Sequence, residues 1–156
     1  MKISTILTDP RERERFIKFS IVGAIGFLVD ISSFHLLVSI LGLTPIVAQG
    51  GSFTLAVTSN FTWNRIWTYP DSRSKRVSNQ LVTFFLVNII GLGIRTLIFA
   101  GLEGLWRSLF ARLAFLPVGL ITADRLAYTI TLGIAVVVVM FWNYFINRVW
   151  TFNDVD

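Results

Sequence analysis

Two short stretches hold most of the polar chemistry in this chain. "SNFTWNRIWTY" occupies residues 59–69 and "WNYFINRVWTF" occupies residues 142–152. Superposed, both read Asn-aromatic-x-x-Asn-Arg-(Ile/Val)-Trp-Thr-aromatic. Asn60 falls on Asn143, Asn64 on Asn147, Arg65 on Arg148 and Trp67 on Trp150. An asparagine amide both donates and accepts, which suits sugar hydroxyls. Arginine offers a planar fork for phosphate oxygens. Tryptophan can stack on a sugar face or anchor in a headgroup layer. Residues of these types at this spacing suit a lipid whose head carries phosphate and sugar. The bland reading is polar glue between helices with tryptophans as belt anchors. For the tryptophans alone we prefer the bland reading. For asparagine plus arginine, written twice in the same order, we prefer binding.

On a helix, positions i, i+4 and i+7 share a face. Asn60, Asn64 and Trp67 are therefore expected on one stripe, and Asn143, Asn147 and Trp150 on its copy. Arg65 and Arg148 then lie about 100° round from the neighbouring asparagines. Other chemistries are excluded or left without support. There is no cysteine and one histidine, His35, so disulfides, thiolate sites and multi-histidine metal sites are out. No nucleophile–base pair, metal cluster or phosphate loop stands out, so neither an enzyme, a cofactor nor ATP coupling is expected.

The elements that must carry these phrases are apolar. Hydrophobic residues make up 54% of the 156, charged residues 15%, and mean hydropathy is +0.68. An average soluble domain carries about 25% charged residues, and a chain this short could not bury so much apolar surface in one core. Four apolar stretches cover residues 16–43, 45–63, 81–102 and 126–146. In lipid the backbone must satisfy itself within each segment, so all four are read as spanning helices. The second is diluted by Gln49, Gly50, Gly51, Ser52 and Asn60. The N-terminus does not read as a cleavable signal peptide, because its charged region is long and no small-residue cleavage site follows.

Lys2, Arg11, Arg13, Arg15 and Lys18 precede the first span. Arg65, Arg73, Lys75 and Arg76 follow the second, and Arg148 follows the fourth. Only Arg107, Arg112 and Arg125 lie between the third and fourth. The positive-inside rule then puts both termini and the second link in the cytoplasm. The net charge of +5 is accounted for by basic ends against anionic headgroups, without nucleic acid. Residues 103–115, "EGLWRSLFARLAF", place Leu105, Trp106, Leu109, Phe110 and Leu113 on one stripe. This predicts an amphipathic helix in the outer interface, stopped before Pro117 and Gly119. The alternative is a continuation of the third span.

A second, weaker match links "FSIVGAIGFLVDI" from Phe19 with "FFLVNIIGLGIRT" from Phe84. It sets Phe19 on Phe84, Gly26 on Gly91 and Asp30 on Arg95, an offset of 65 against 83 for the phrases. The chain reads as two copies of a two-span hairpin, about 15–69 and about 80–152, within a single domain of residues 1–156. Both copies point the same way, related by an axis along the membrane normal. Asp30 and Arg95 stand midway along their spans with opposite sign. A lone charge at that depth costs at least about 2.5–3.5 kcal/mol on insertion scales, so the two are expected to pair and line a polar path. Fixing helix register is the equal alternative. Asn88, Gln49 and Ser52 extend that lining, and His35 falls off the face of Asp30. The expected fold is an all-α membrane protein: four transmembrane helices as two parallel-repeat hairpins, plus an outer interfacial helix.

"RFIKFSIVGAIGFLVD", "SNFTWNRIWTY" and "NYFINRVWTF" together resemble the GtrA-like family of four-span membrane proteins, over nearly the whole chain. The resemblance implies a bacterial or archaeal inner-membrane protein that works beside a polyprenyl-phosphate glycosyltransferase. It implies movement of a polyprenyl-phosphate-linked monosaccharide, a sugar lipid, from the cytoplasmic to the outer leaflet for envelope glycans. By position it directs interest to Asn60, Asn64, Arg65, Asn143, Asn147 and Arg148. The partners expected are that lipid, membrane lipids, the glycosyltransferase and further copies of the chain. Two rivals stay open: a non-transporting partner of the glycosyltransferase, working through residues 68–80, and a small multidrug exporter using Asp30.

Overall fold

A computed structural model describes residues 9–72, 74–112 and 122–154. All of its regular structure is helical: α1 (Pro10–Ser39), α2 (Pro45–Trp63), a π-turn (Asn64–Thr68), α3 (Val77–Phe110), α4 (Ala123–Ile146) and a second π-turn (Asn147–Thr151). Among the described residues three helical segments are long and apolar enough to cross a membrane: Pro10–Ser39, Val77–Phe110 and Ala123–Thr151. The second predicted span does form a helix, the 19-residue α2, but it is not among the three. Gln49, Ser52, Thr54, Thr58, Ser59 and Asn60 lower its hydropathy. Large apolar side chains stand on the protein surface, Ile46 at 84% and Leu97 at 74% exposure. Lipid is the solvent in which such a surface is stable.

The chain divides into two compact units. The first comprises Met1–Asn88 with Tyr144–Asp156. Asp9 caps α1 by accepting the Arg11 amide at 2.9 Å, and Pro10 stands in its first turn, where no amide is needed. The helix ends at Ser39, and the chain turns at Gly42, whose φ of +65° is open to glycine without strain. The Leu43 amide then closes on the Leu37 carbonyl at 3.0 Å, and Pro45 starts α2. α1 and α2 pack together, with Gly51 opposite Leu37 and Gly26 opposite Asn60. A Cβ at Gly26 would overlap the Asn60 amide.

The second unit is Ile89–Asn143, made from α3 and α4. Arg107 pairs with Glu103 on its own helix and with Asp124 on α4 at 3.1 Å. It also donates to the Tyr128 hydroxyl at 2.9 Å, while Phe99 stacks on the Tyr128 ring at 5.8 Å. Gly91 faces Asn143 here, with Oδ1 3.0 Å from where a Cβ would stand.

The outer interfacial helix is corrected. Residues 103–110 are not a separate element but the end of α3, which runs 34 residues without a break. Gly101 and Gly104 do not interrupt the hydrogen-bond ladder, and nothing else between Leu102 and Leu105 removes an amide. Leu113, Pro117 and Gly119, with Lys2 and Arg73 from the charge pattern, lie outside the described residues.

Gly26→Ala should lower the thermal midpoint of the detergent-purified protein by the equivalent of about 1–3 kcal/mol, the usual cost of overpacking. Adding Asn60→Ala should recover part of it. A Gly26→Ala protein melting like the wild type would show that the contact does not limit helix approach.

Candidate functional site

Both repeated phrases end in the same local structure. The Tyr69 amide donates to the Asn64 carbonyl and the Phe152 amide to the Asn147 carbonyl, each at 2.8 Å and each five residues back. These are single π-turns, a form often found at functional positions. The wider turn changes which side chains face inward. Asn64 and Thr68 are buried, as are Asn147 and Thr151, whereas Trp67 is 38% exposed and Trp150 52%. The expected Asn60–Asn64–Trp67 stripe is therefore corrected: Thr68, four residues on, follows Asn64 inward, and Trp67 does not. The same holds for Thr151 and Trp150.

The two phrases meet in the first unit. Tyr69 stacks on Phe152 with centroids 4.5 Å apart. Phe61 meets Phe84 edge-on at 5.7 Å, and Tyr144 meets Phe19 edge-on at 5.6 Å. Phe84 and Phe19 differ by the offset of 65, Tyr144 and Phe61 by the offset of 83. The aromatic contacts thus come in pairs related by the same two offsets as the sequence.

The charges do not come in such pairs. Glu12 is buried. It accepts from the Tyr144 hydroxyl at 2.9 Å, from Arg148 Nε at 3.1 Å and from Arg15 Nη1 at 2.8 Å. Arg15 reaches on to Asp71 at 2.8 Å, and Arg148 Nη1 donates to the Phe152 carbonyl at 3.1 Å. A carboxylate in so little water is stable because three donors surround it. The residue 65 places after Glu12 is Val77, so Arg65 has no equivalent acid. Its Nη1 is buried and has no hydrogen-bond partner among the described residues, and the same is true of Asn64 Oδ1 and Thr68 Oγ1. In the second phrase Thr151 Oγ1 donates to Asn147 Oδ1 at 2.8 Å, leaving Asn147 Nδ2 as the orphan. The first phrase is the less satisfied one.

Asn60 and Asn143 are half-buried against Gly26 and Gly91, each with an unpartnered Oδ1. Trp67 lies under Lys18, whose Nζ is 5.8 Å from a ring centroid. The Trp150 carbonyl accepts from Lys75 Nζ at 3.1 Å. Asp30 is half-buried and lines a cavity of about 350 Å³ with His35, Gln49 and Ser52. His35, expected off that face, shares the cavity because it is wide enough to take in both. Arg95 is exposed on the part of α3 that belongs to the second unit. Asn88 turns back on its own helix, donating to the Phe84 carbonyl at 2.8 Å.

Sequence reasoning missed the residues that fasten this end. Asp154 accepts from Ser72 Oγ at 2.5 Å and from Ser74 Oγ at 2.6 Å, and Gln80 Nε2 donates to Ser72 Oγ at 2.7 Å. A signal was there: Asp71 and Asp154 stand seven residues after Asn64 and Asn147, so the offset of 83 runs on beyond the quoted phrases. Burial alone would raise the Asp154 carboxyl, but the hydroxyls of Ser72 and Ser74 and the backbone amides outweigh it and bring it to about 2.

A family model for the GtrA/DPMS transmembrane domain matches residues 18–152. The chain is 31% identical over 110 residues to a dolichol-phosphate mannosyltransferase of Pyrococcus furiosus, covering 70% of this chain and 29% of that protein. It is 29% identical over 137 residues to the uncharacterized membrane protein YngA of Bacillus subtilis, covering 88% of this chain and 78% of that one. The chain thus spans less than a third of the Pyrococcus protein.

Glu12→Ala leaves Arg148 and Tyr144 without their acceptor and should destabilise the protein by about 3 kcal/mol, the lower end for breaking a buried pair. Glu12→Gln should cost less; thermal unfolding in detergent compares them. The Asp154 clamp should respond to acid. Its bound carboxyl titrates near 2 and a free aspartate near about 3.9. The clamp's contribution is therefore complete above the free value and lost as pH falls through the bound one. Amide protection at residues 150–154, taken relative to the intrinsic exchange rate at each pH, should hold down to pH about 4 and fall toward pH 2, and Asp154→Asn should abolish the step.

Proposed function

Because the chain belongs to the GtrA/DPMS transmembrane-domain family, we propose that it moves a polyprenyl-phosphate-linked monosaccharide from the cytoplasmic to the outer leaflet of a bacterial or archaeal inner membrane. The observation that carries this reading is a set of buried polar groups gathered around the two π-turns of the first unit. Several are unsatisfied: Asn64 Oδ1, Arg65 Nη1, Thr68 Oγ1 and Asn147 Nδ2. Buried polar atoms in a native protein are almost always partnered. Orphans concentrated around these turns are accounted for by a polar ligand that supplies the missing bonds. The name of the Pyrococcus relative joins a mannosyl group to dolichol phosphate, a polyprenyl phosphate. That chemistry, phosphate and sugar on a prenyl chain, matches what arginine and asparagine recognise.

In this reading both termini and the 69–76 link face the cytoplasm. That agrees with Arg15 bonding to Asp71 and Ser72 to Asp154 at one end of the first unit. α2 is the fourth span, joined to α1 by the tight turn at Gly42, and each half of the chain is one copy of a hairpin. Arg65 and Arg148 face the inner mouth. Asp30 and Arg95 mark the polar level that the head passes while the prenyl tail stays in lipid. The site line is then Asn60, Asn64, Arg65, Trp67, Asn143, Asn147, Arg148 and Trp150 with those two charges. Consumption of the sugar outside, or an ion gradient, draws transport forward. Two hairpins enclose little space, so a homo-oligomer completes the path.

A second reading has its own support. This chain matches 29% of a longer protein named as a transferase, which favours a chain that docks and orients a separate glycosyltransferase. Purified protein in liposomes with a labelled polyprenyl-phosphate sugar tests the first reading. Labelled lipid should become accessible from the far leaflet at least about tenfold faster than in protein-free liposomes. Equal rates would refute translocation. Replacing residues 70–74 while keeping Lys75, Arg76 and the membrane residues should spare transport if the first reading holds and abolish glycan modification if the second does.

A further inference from the structure

A cleft of about 380 Å³ opens in the first unit between the start of α3 and the second phrase, walled by Lys75, Arg76, Asn79, Gln80, Thr83 and Trp150. Among these only Trp150 belongs to the repeated phrases. The volume suits a single sugar with its phosphate, at the small end of the usual ligand-pocket range of about 300–1,000 Å³. The walls are unusual in their charge: with Thr151 they carry two cations, four neutral hydrogen-bonding side chains beside the tryptophan and no acid. Among the described residues no carboxylate pairs with Lys75 or Arg76. Lys75 spends one bond on the Trp150 carbonyl, at 3.1 Å, and keeps its others. Trp150 presents a half-exposed ring at the rim.

Gln80 is the most telling wall. It is 1% exposed. Its Nε2 is held by Ser72 Oγ at 2.7 Å and by the Thr151 carbonyl at 3.2 Å. Oε1 is thereby left over, buried and without a partner. That oxygen asks for a donor. A phosphate dianion has none to give, whereas a sugar hydroxyl does.

The comparison with a second cleft sharpens this. It measures about 450 Å³ and includes Arg11, Glu14, Arg15 and Lys18. Each stands 65 residues before Arg76, Asn79, Gln80 and Thr83 in turn. There two of the three cations, Arg15 and Lys18, are occupied by the protein itself, while Arg11, like Arg76, has no ion pair among the described residues. Lys18 pairs with Glu14 at 2.6 Å, and Arg15 pairs with Glu12 and Asp71, both at 2.8 Å. Of two clefts in corresponding positions, one holds carboxylates beside its cations and the other holds none.

We propose that the Lys75–Trp150 cleft is the binding site for a glycosyl phosphate, with Lys75 and Arg76 on the phosphate, Gln80 Oε1 on a sugar hydroxyl and Trp150 against the sugar face. This deepens the translocation reading and rests on it for the prenyl chain. The glycosyl phosphate itself is either a lipid headgroup or a soluble ester, and the test separates the two.

The full chain in phosphatidylcholine nanodiscs is titrated with citronellyl phosphoglucose, glucose 1-phosphate and inorganic phosphate. Lys75→Gln with Arg76→Gln should weaken both glucose esters by about tenfold or more. Asn79→Glu, which restores the acid of the other cleft at an exposed position, should do the same without lowering the melting temperature. Arg11→Gln should change affinity less than about twofold. Inorganic phosphate should bind at least about tenfold more weakly than glucose 1-phosphate. Tighter binding of the citronellyl ester assigns the site to a lipid head, and equal binding of the two esters assigns it to a soluble one; both support the cleft. Equal loss in Arg11→Gln, or inorganic phosphate binding as well as the sugar esters, would overturn it. Wild-type binding with liposome access at the protein-free level removes translocation and keeps the cleft. Transport that survives Asn79→Glu and the double variant removes the cleft and keeps translocation.

Discussion

The first unit depends on one buried carboxylate. Glu12 sits at the start of α1, yet two of its three donors, Tyr144 and Arg148, come from the end of α4 and the turn after it. A charge so far from water is tolerable only when its hydrogen bonds are complete. The requirement therefore fixes where the last turn of the chain lies against the first. Once that turn is fixed, Phe152 is placed to stack on Tyr69, and Asp154 to accept from the 69–76 link. The rest of the unit is helix against helix with small residues at the contacts, which by itself specifies register weakly.

The two phrases share a backbone and differ in electrostatics. Their π-turns, inward Asn and Thr, and paired aromatic contacts correspond residue by residue. Their ion pairs do not, because Glu12, Glu14, Arg15 and Lys18 correspond to Val77, Asn79, Gln80 and Thr83. Beside the first phrase stands a clamp built from salt bridges, and beside the second stand cations and neutral amides.

Much of this was legible in the residues. The helices follow from apolar length, and the matched phrases led to the matched turns. What failed has physical causes. The Trp67 stripe assumed 3.6 residues per turn, whereas a π-turn brings Thr68 under Asn64. The break at residue 103 assumed that an amphipathic pattern starts a new helix, but α3 runs on to Phe110 because neither Gly101 nor Gly104 removes a hydrogen bond. The role of Glu12 was hidden in "RERER", where one acid among five alternating charges reads as solvated surface. Its partners lie about 130 residues away, beyond any local pattern. The contact of Gly26 with Asn60 was half visible, since both belonged to matched positions without any sign that they touch.

The first unit is closed by residues from both ends of the chain, Met1–Asn88 and Tyr144–Asp156. During synthesis, α1 and α2 leave the ribosome long before Tyr144 and Arg148 exist. Until then the Glu12 carboxylate lacks two of its three donors, and the Phe61 and Phe84 rings lack the Phe152 ring that later covers them. The nascent α1–α2 pair must wait with its decisive surface unfinished. Biogenesis is thus ordered: helices can form one by one, but consolidation of the first unit awaits the turn after α4.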